Sequence, residues 1–306
     1  MSDPLPGVVA RPPTRDLWLM TVGVVAISTS APLIAATAAP ALAIAFWRNA
    51  FAVLAIGPVV ALRRRHELTG LSRRERRLSA VAGGLLALHF ATWVPSVTMT
   101  TVASSTALVA VQPVWAALIA RARGQHIPSR AWLGMALAFS GVLVITGVDV
   151  TLSTEAFVGD LLALVGGFFA AAYVSVGAEV RRSVSTTTYT AVAYGVCAVL
   201  LLLTCVVAGQ PLGGYSSQTW VQLLALTAGA QLLGHSIFNA ILRTTSPTVL
   251  SLAILFEMPG AAVIAALWLG QLPPAGVLPA AALLLAGVAV VVRSQGPDAP
   301  PAAPAE

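Results

Sequence analysis

Only a handful of the 306 residues combine reactive chemistry with an apolar setting. Glu257 is the sharpest case, standing inside the apolar stretch 247–268, two residues before Pro259. At 1.5 Å of rise per helical residue it lies about 15 Å beyond Pro247, near the middle of a hydrocarbon layer about 30 Å thick. A carboxylate is costly at that depth and marks a polar path inside a protein. Glu257 therefore binds a cationic or amino group, exchanges a proton, or is a protonated, hydrogen-bonded packing residue. Pro259 lacks a backbone donor and frees the carbonyl of Leu255, which is tolerable only where protein or trapped water satisfies it.

Other polar side chains interrupt the apolar runs. Imidazoles titrate near physiological pH, so His89 and His235 either switch charge or make one static hydrogen bond between helices. Gln231, His235 and Asn239 follow at four-residue spacing, which on a helix gives one polar stripe suited to a cavity wall. Gln112 stands beside Pro113 much as Glu257 stands near Pro259. Arg48 lies in the second apolar run; it attracts an anionic group such as a carboxylate, snorkels outward, or caps carbonyls of a neighbouring helix. Tyr173 carries a hydroxyl that needs a partner and is a candidate for the cavity wall. Trp47, Trp115, Phe168 and Phe169 read as packing or lipid contact. Trp18, Trp132 and Trp220, at the ends of runs, read as interfacial anchors. Pro32, Pro95, Pro113 and Pro259 interrupt their runs, with Pro32, Pro113 and Pro259 the hinge candidates. No acid, His or Cys stands at ligand spacing beside either imidazole, so no metal site and no cofactor are expected. Cys197 and Cys205 lie about 12 Å apart along one helix, too far for a disulfide, and read as packing residues.

These side chains need elements to hold them, and the composition says which. Hydrophobic residues make up 58% of the chain and charged residues 9%, with a mean hydropathy of +0.87. No soluble domain of this length hides so much apolar surface, so the fold class is an all-α polytopic membrane protein. Ten apolar spans are expected: 17–36, 41–62, 79–97, 102–120, 131–146, 158–178, 188–207, 220–242, 247–268 and 277–292. The first run resembles a signal peptide, but its length of about twenty residues marks it as a retained helix. The basic residues number 17, all of them Arg, and orient the chain: with both termini cytoplasmic, every Arg except Arg48 falls in a cytoplasmic segment. Asp149, Glu155 and Asp160 then fall outside. The charge of +6 thus reports topology in the cell (inner or plasma) membrane and no nucleic-acid partner. The basic loop 63–77 follows from positive-inside sorting, anionic lipid head groups being its other reading. The ends 1–15 and 294–306 read as disordered cytoplasmic tails.

An internal repeat ties the spans together. A shift of 146 positions lays Ser105 on Ser251, Pro113 on Pro259, Gly124 on Gly270, Gln125 on Gln271, Pro128 on Pro274, Gly141 on Gly287 and His89 on His235. A shift of 144 lays Asp16 on Asp160 and Gly23 on Gly167. The expected organisation is one five-helix repeat over 16–146, an outside linker over 147–157 and a second repeat over 158–293. Five spans is an odd number, so the repeats are inverted, with broken helices near the midplane.

These features resemble the EamA-type ten-helix members of the drug/metabolite transporter superfamily. The resemblance rests on Leu88-His89-Phe90, on 104–115 with Gly124-Gln125, on 130–141, on 235–239, on 251–260 with Gly270-Gln271, and on Gly287. It covers roughly 16–293. The chain departs from the family pattern at Gln112, Gln125 and Gln271, where Glu is usual, and in having Met258 between the acid and its proline. The resemblance implies a central cavity built from helices 1, 3, 4, 6, 8 and 9, with helices 5 and 10 peripheral, a helix-6 aromatic at Tyr173, and a structural role for Arg48. It also implies efflux of small metabolites, amino acids among them, or of drugs.

The expected function is a secondary active or facilitative transporter, an exporter of a small polar or amphipathic metabolite or drug by alternating access. Glu257, His235, Asn239, His89, Gln112, Tyr173 and Gln231 are its expected substrate contacts. Partners are a small-molecule substrate and membrane lipids, with proton or other ion coupling and a homodimer both open. With no Lys there is no phosphate-binding Gly-x-x-x-x-Gly-Lys loop, so energy comes from a gradient. A membrane-embedded sensor without transport is the alternative. An intramembrane enzyme is a more distant one, since neither Gly-x-Ser-x-Gly nor His-Glu-x-x-His occurs.

Overall fold

A computed structural model describes residues 14–234, 237–238, 241 and 252–294. Among these residues every regular element is helical. In chain order they are α1 (Thr14–Ser28), α2 (Ser30–Ala36), α3 (Ala41–Arg63), α4 (Arg65–Gly70), α5 (Arg73–Met99), α6 (Val102–Val109), α7 (Gln112–Ala122) and α8 (Ser129–Leu152). There follow α9 (Thr154–Val180), α10 (Thr186–Val207), α11 (Ser217–Leu226), a π-helical stretch Thr227–Gly234, α12 (Glu257–Ile264), a second π-helical stretch Ala265–Leu269, and α13 (Val277–Ser294). Nine helical segments among the described residues are long and apolar enough to cross a membrane. The remaining expected span, 220–242, runs over residues outside the description.

Local chemistry sets the ends of these helices. Ser72, Thr101, Ser153, Ser185 and Ser216 each accept a backbone N–H of the first turn that follows, satisfying a donor the helix leaves orphaned. Ser72 and Glu75 form a full capping box. Gly124 and Gly270, paired in the sequence repeat, close α7 and the second π-helical stretch at φ of 85° and 67°, where a side chain would be strained.

Among the described residues three spans are broken. α1 gives way to α2 at Thr29, α6 to α7 at Ala110 and Val111, and the segment starting at Leu252 turns at Leu255 and Phe256 before α12 begins. Pro32, Pro113 and Pro259 each follow such a break by two to four residues, where the missing donor does least harm. By contrast α5 runs through Pro95 without interruption, against the sequence expectation.

Packing explains the periphery. α8 and α13 lie in close contact because glycines remove the side chains between them. A Cβ at Gly287 would stand 2.3 Å from the Ala138 nitrogen, and one at Gly141 would stand 2.7 Å from the Ala280 carbonyl. Small residues are how helices associate in lipid, where no hydrophobic force draws them together. The outer faces are apolar, with Trp18, Leu133, Phe139 and Val207 all exposed to the surroundings.

Candidate functional site

The irregular segments converge on one cavity of about 410 Å³. Its wall takes Ser30 from α2, Ala110, Gln112 and Pro113 from the α6–α7 break, Leu255 and Glu257 from the α12 break, and Ala230 and Gln231 from the first π-helical stretch. Broken backbone leaves unpaired carbonyls and amides, which at membrane depth must face protein or water. That volume suits a small ligand or about a dozen waters.

Regular helices complete the wall. α5 presents Leu86, His89, Phe90 and Trp93, spaced three and four apart along one face. α9 contributes Tyr173 and Gly177, and α10 contributes Tyr189, Thr190 and Tyr194. His89 donates from Nδ1 to the Gly166 carbonyl on α9 at 3.0 Å and stacks on Trp93 at 5.6 Å. An interhelical bond, one of the two readings of this imidazole, is thus present, and the ring also lines the cavity. Tyr173 stacks on Tyr189 at 6.2 Å.

Gln112 and Glu257 hold equivalent places, each the first residue of a restarted helix. The sequence repeat pairs Pro113 with Pro259 and so offsets these two side chains by one position, but the helix starts align them. α1 comes so close to α12 that Ser28 Oγ donates to the Glu257 carbonyl at 3.3 Å, and a Cβ at Gly260 would stand 2.3 Å from that same hydroxyl.

Arg48, for which the sequence left several roles open, does not snorkel outward: it is 3% exposed and lines the cavity, and among the described residues no carbonyl bond is made by it. Nε donates to Gln231 Oε1 at 2.8 Å, and the guanidinium lies over the Phe90 ring at 4.4 Å. Gln231 Nε2 donates in turn to Asn49 Oδ1 at 3.3 Å, and Asn49 Nδ2 to the Ala45 carbonyl at 2.8 Å. The signal for it was an Arg in an apolar run; the partner that fixes it lies 183 residues away.

Not every candidate reaches the cavity. Trp47 instead packs edge-on against Trp220 at 5.0 Å and donates to the Leu212 carbonyl, which places Trp220 in an aromatic cluster. Trp115 packs on Phe168 away from the cavity wall. His235 and Asn239 lie outside the described residues, as does Ser251. Asp149 on α8 and Asp160 on α9, read as acids of the outside end, are both fully buried and interact with one another. Thr100 donates to Asp149 Oδ2 at 3.2 Å.

The model of the EamA-like transporter family matches this chain twice, over residues 15–147 and 157–293. The chain belongs to that family. The two matches are separated by residues 148–156, the end of α8 and the start of α9, and each contributes one broken helix that restarts on a cavity residue, Gln112 or Glu257. No curated protein matches the chain. A solved crystal structure is similar to it with a TM-score of 0.64 at 16% identity, covering 90% of this chain and 96% of the other. At that identity the likeness concerns the fold alone. Six helices expected from the family resemblance to build the cavity include five that the described residues place there through α1–α2, α5, α6–α7, α9 and α12. The π-helical stretch supplies the sixth, and α3 and α10 join them; α8 and α13 stay outside the wall.

Proposed function

We propose that this member of the EamA-like family is a secondary transporter that exports a small polar or amphipathic metabolite, or a drug, through the cell membrane. In this reading ten helices form two inverted five-helix repeats with both termini cytoplasmic, span 220–242 being the eighth helix. The repeats rock about a central site and expose it to one side at a time. The observation that carries the reading is a cavity at which three broken helices and one π-helical stretch meet, lined by Glu257, Arg48, His89, Gln112, Gln231 and Tyr173. A static bundle has no need to gather its costly backbone breaks around a partly open space with polar groups in its wall.

Glu257 is the group through which a proton would enter the cycle. Screening metabolites and drugs for thermal stabilisation of the purified protein, then measuring flux of the best binder in proteoliposomes, tests the function. Glu257→Gln keeps the shape of the side chain and removes its charge. We expect the variant to fold, to bind, and to lose the pH dependence of flux. Unchanged flux with an unchanged pH profile would remove Glu257 from the coupling.

A further inference from the structure

Arg48 presents a cation that the protein itself leaves unsatisfied. Nine-tenths and more of the side chain is buried, and Nη1 has no hydrogen-bond partner among the described residues. The rest of the guanidinium is held in place. Nε is bonded to Gln231, which Asn49 and then the Ala45 carbonyl hold in register, and one face rests on Phe90. Both supports are neutral. Glu257 lines the same cavity but forms no ion pair with Arg48 within 4.0 Å. A buried cation with an unbonded N–H and no direct ion pair is expensive, and a folded protein retains one where a further group can supply a contacting counter-charge. A planar guanidinium in the wall of a cavity matches a planar oxyanion.

We propose that Arg48 is the substrate's anion seat: the transported molecule carries a carboxylate that binds Arg48 Nη1, with its apolar body against Phe90, Trp93 and Tyr173. This rests on the transport reading and names the substrate class for it. Gln231 is a positioning residue here, since it touches Arg48 and orients the fork. Glu257, the first residue of α12, lines the same space.

The test uses the full-length protein and four probes that share one aryl-propyl body: 3-phenylpropanoate, 3-phenylpropanamide, 3-phenylpropan-1-ol and 3-phenylpropan-1-amine. Binding is read by tryptophan fluorescence and thermal shift, and flux in proteoliposomes. Wild type is expected to bind the carboxylate roughly tenfold or more tightly than the amide or alcohol, the size of one charge-assisted contact. Arg48→Gln is expected to bring the four probes level. Arg48→Lys, which keeps the charge and loses the fork, is expected to retain part of the preference. If Arg48→Gln fails to fold, the wild-type comparison still decides. Equal binding of carboxylate and amide by wild type, or a carboxylate preference that survives in Arg48→Gln, overturns the proposal. Flux of the neutral probes without preference would overturn the anion seat and leave the transport reading standing. An absence of binding and flux for all four probes, beside flux of another compound class, overturns the seat as well.

Discussion

Gln112 and Glu257 show what a single residue changes on a shared backbone. Each opens a restarted helix at the cavity, where the first-turn N–H groups favour negative charge, yet only the second site has a carboxylate. This much was legible in the sequence, because an acid and a proline inside an apolar run stand out against their surroundings. Arg48 was visible in the same way, but its role was not: the neighbour that orients it, Gln231, is remote in the chain and joined to it only by the fold. The four-residue stripe Gln231, His235, Asn239 assumed an α-helix; Gln231 sits in a π-helical stretch, and the other two lie outside the described residues. The buried pair Asp149 and Asp160 was missed for a related reason, since nothing in sequence shows that two span ends meet. Two carboxyls buried side by side cannot both ionise readily. Asp160→Asn removes that repulsion and adds an N–H for Asp149 Oδ1, which lacks a partner. We expect it to raise thermal stability by about 1 kcal/mol, read as a melting temperature higher by a few degrees, and Asp160→Ala to give no such gain.

At the level of elements, apolar patterning located nine spans among the described residues, with ends differing by up to about six residues, because lipid imposes a long uniform run on every crossing helix. Breaks were harder to place. Proline marked three of them, yet Pro95 passes within α5, so a proline alone does not interrupt a helix. What separates the cases is what lies opposite, and sequence does not show it: the α12 break faces Ser28 and the open cavity. Gly141 and Gly287 were matched by the repeat, and the structure gives the reason, each clearing space for the helix that carries the other. Their contact is backbone against backbone, which cannot yield as the tip of a flexible side chain can. Gly287→Val is therefore expected to cost about 1–3 kcal/mol, as in other overpacked sites. Thermal unfolding in detergent checks this. Gly57, with open space around it, is the control at which the same change should cost much less.

For the whole molecule, the question is what joins the two family-matched halves at the end of the cavity where α9 leads into α10. Arg181, Thr186, Tyr189 and Thr190 line the cavity there. Beside them Glu67, on the short helix α4, accepts the Ser185 N–H at 2.6 Å and the hydroxyls of Ser185 and Thr188 at 2.8 Å each. Glu75 accepts from Ser183 Oγ, and Arg74 pairs with Glu179, so three side chains of the first half grip one turn of the second. Partial burial pushes the Glu67 carboxyl up, but the bonds from Ser185, Thr188 and Arg64 together outweigh it and hold the group below its ordinary 4.5. The sign follows from linkage. A carboxyl whose folded pKa lies below its unfolded value stabilises the folded form fully above the unfolded pKa, and that contribution fades as pH falls through the folded one. The grip is thus intact near neutrality and is lost in acid below about pH 4.5. Glu67→Ala should lower stability near pH 7 by about 1–2 kcal/mol, three charge-assisted bonds discounted for partial exposure to solvent. The difference between variant and wild type should shrink as the pH is taken below 4.5. If the halves rock against each other during transport, these bonds must part in each cycle, and Glu67→Ala should then also speed flux while weakening the fold. A variant that is less stable yet unchanged in flux would make the grip a structural tie between the halves, with the moving parts of the cycle located at the helix breaks instead.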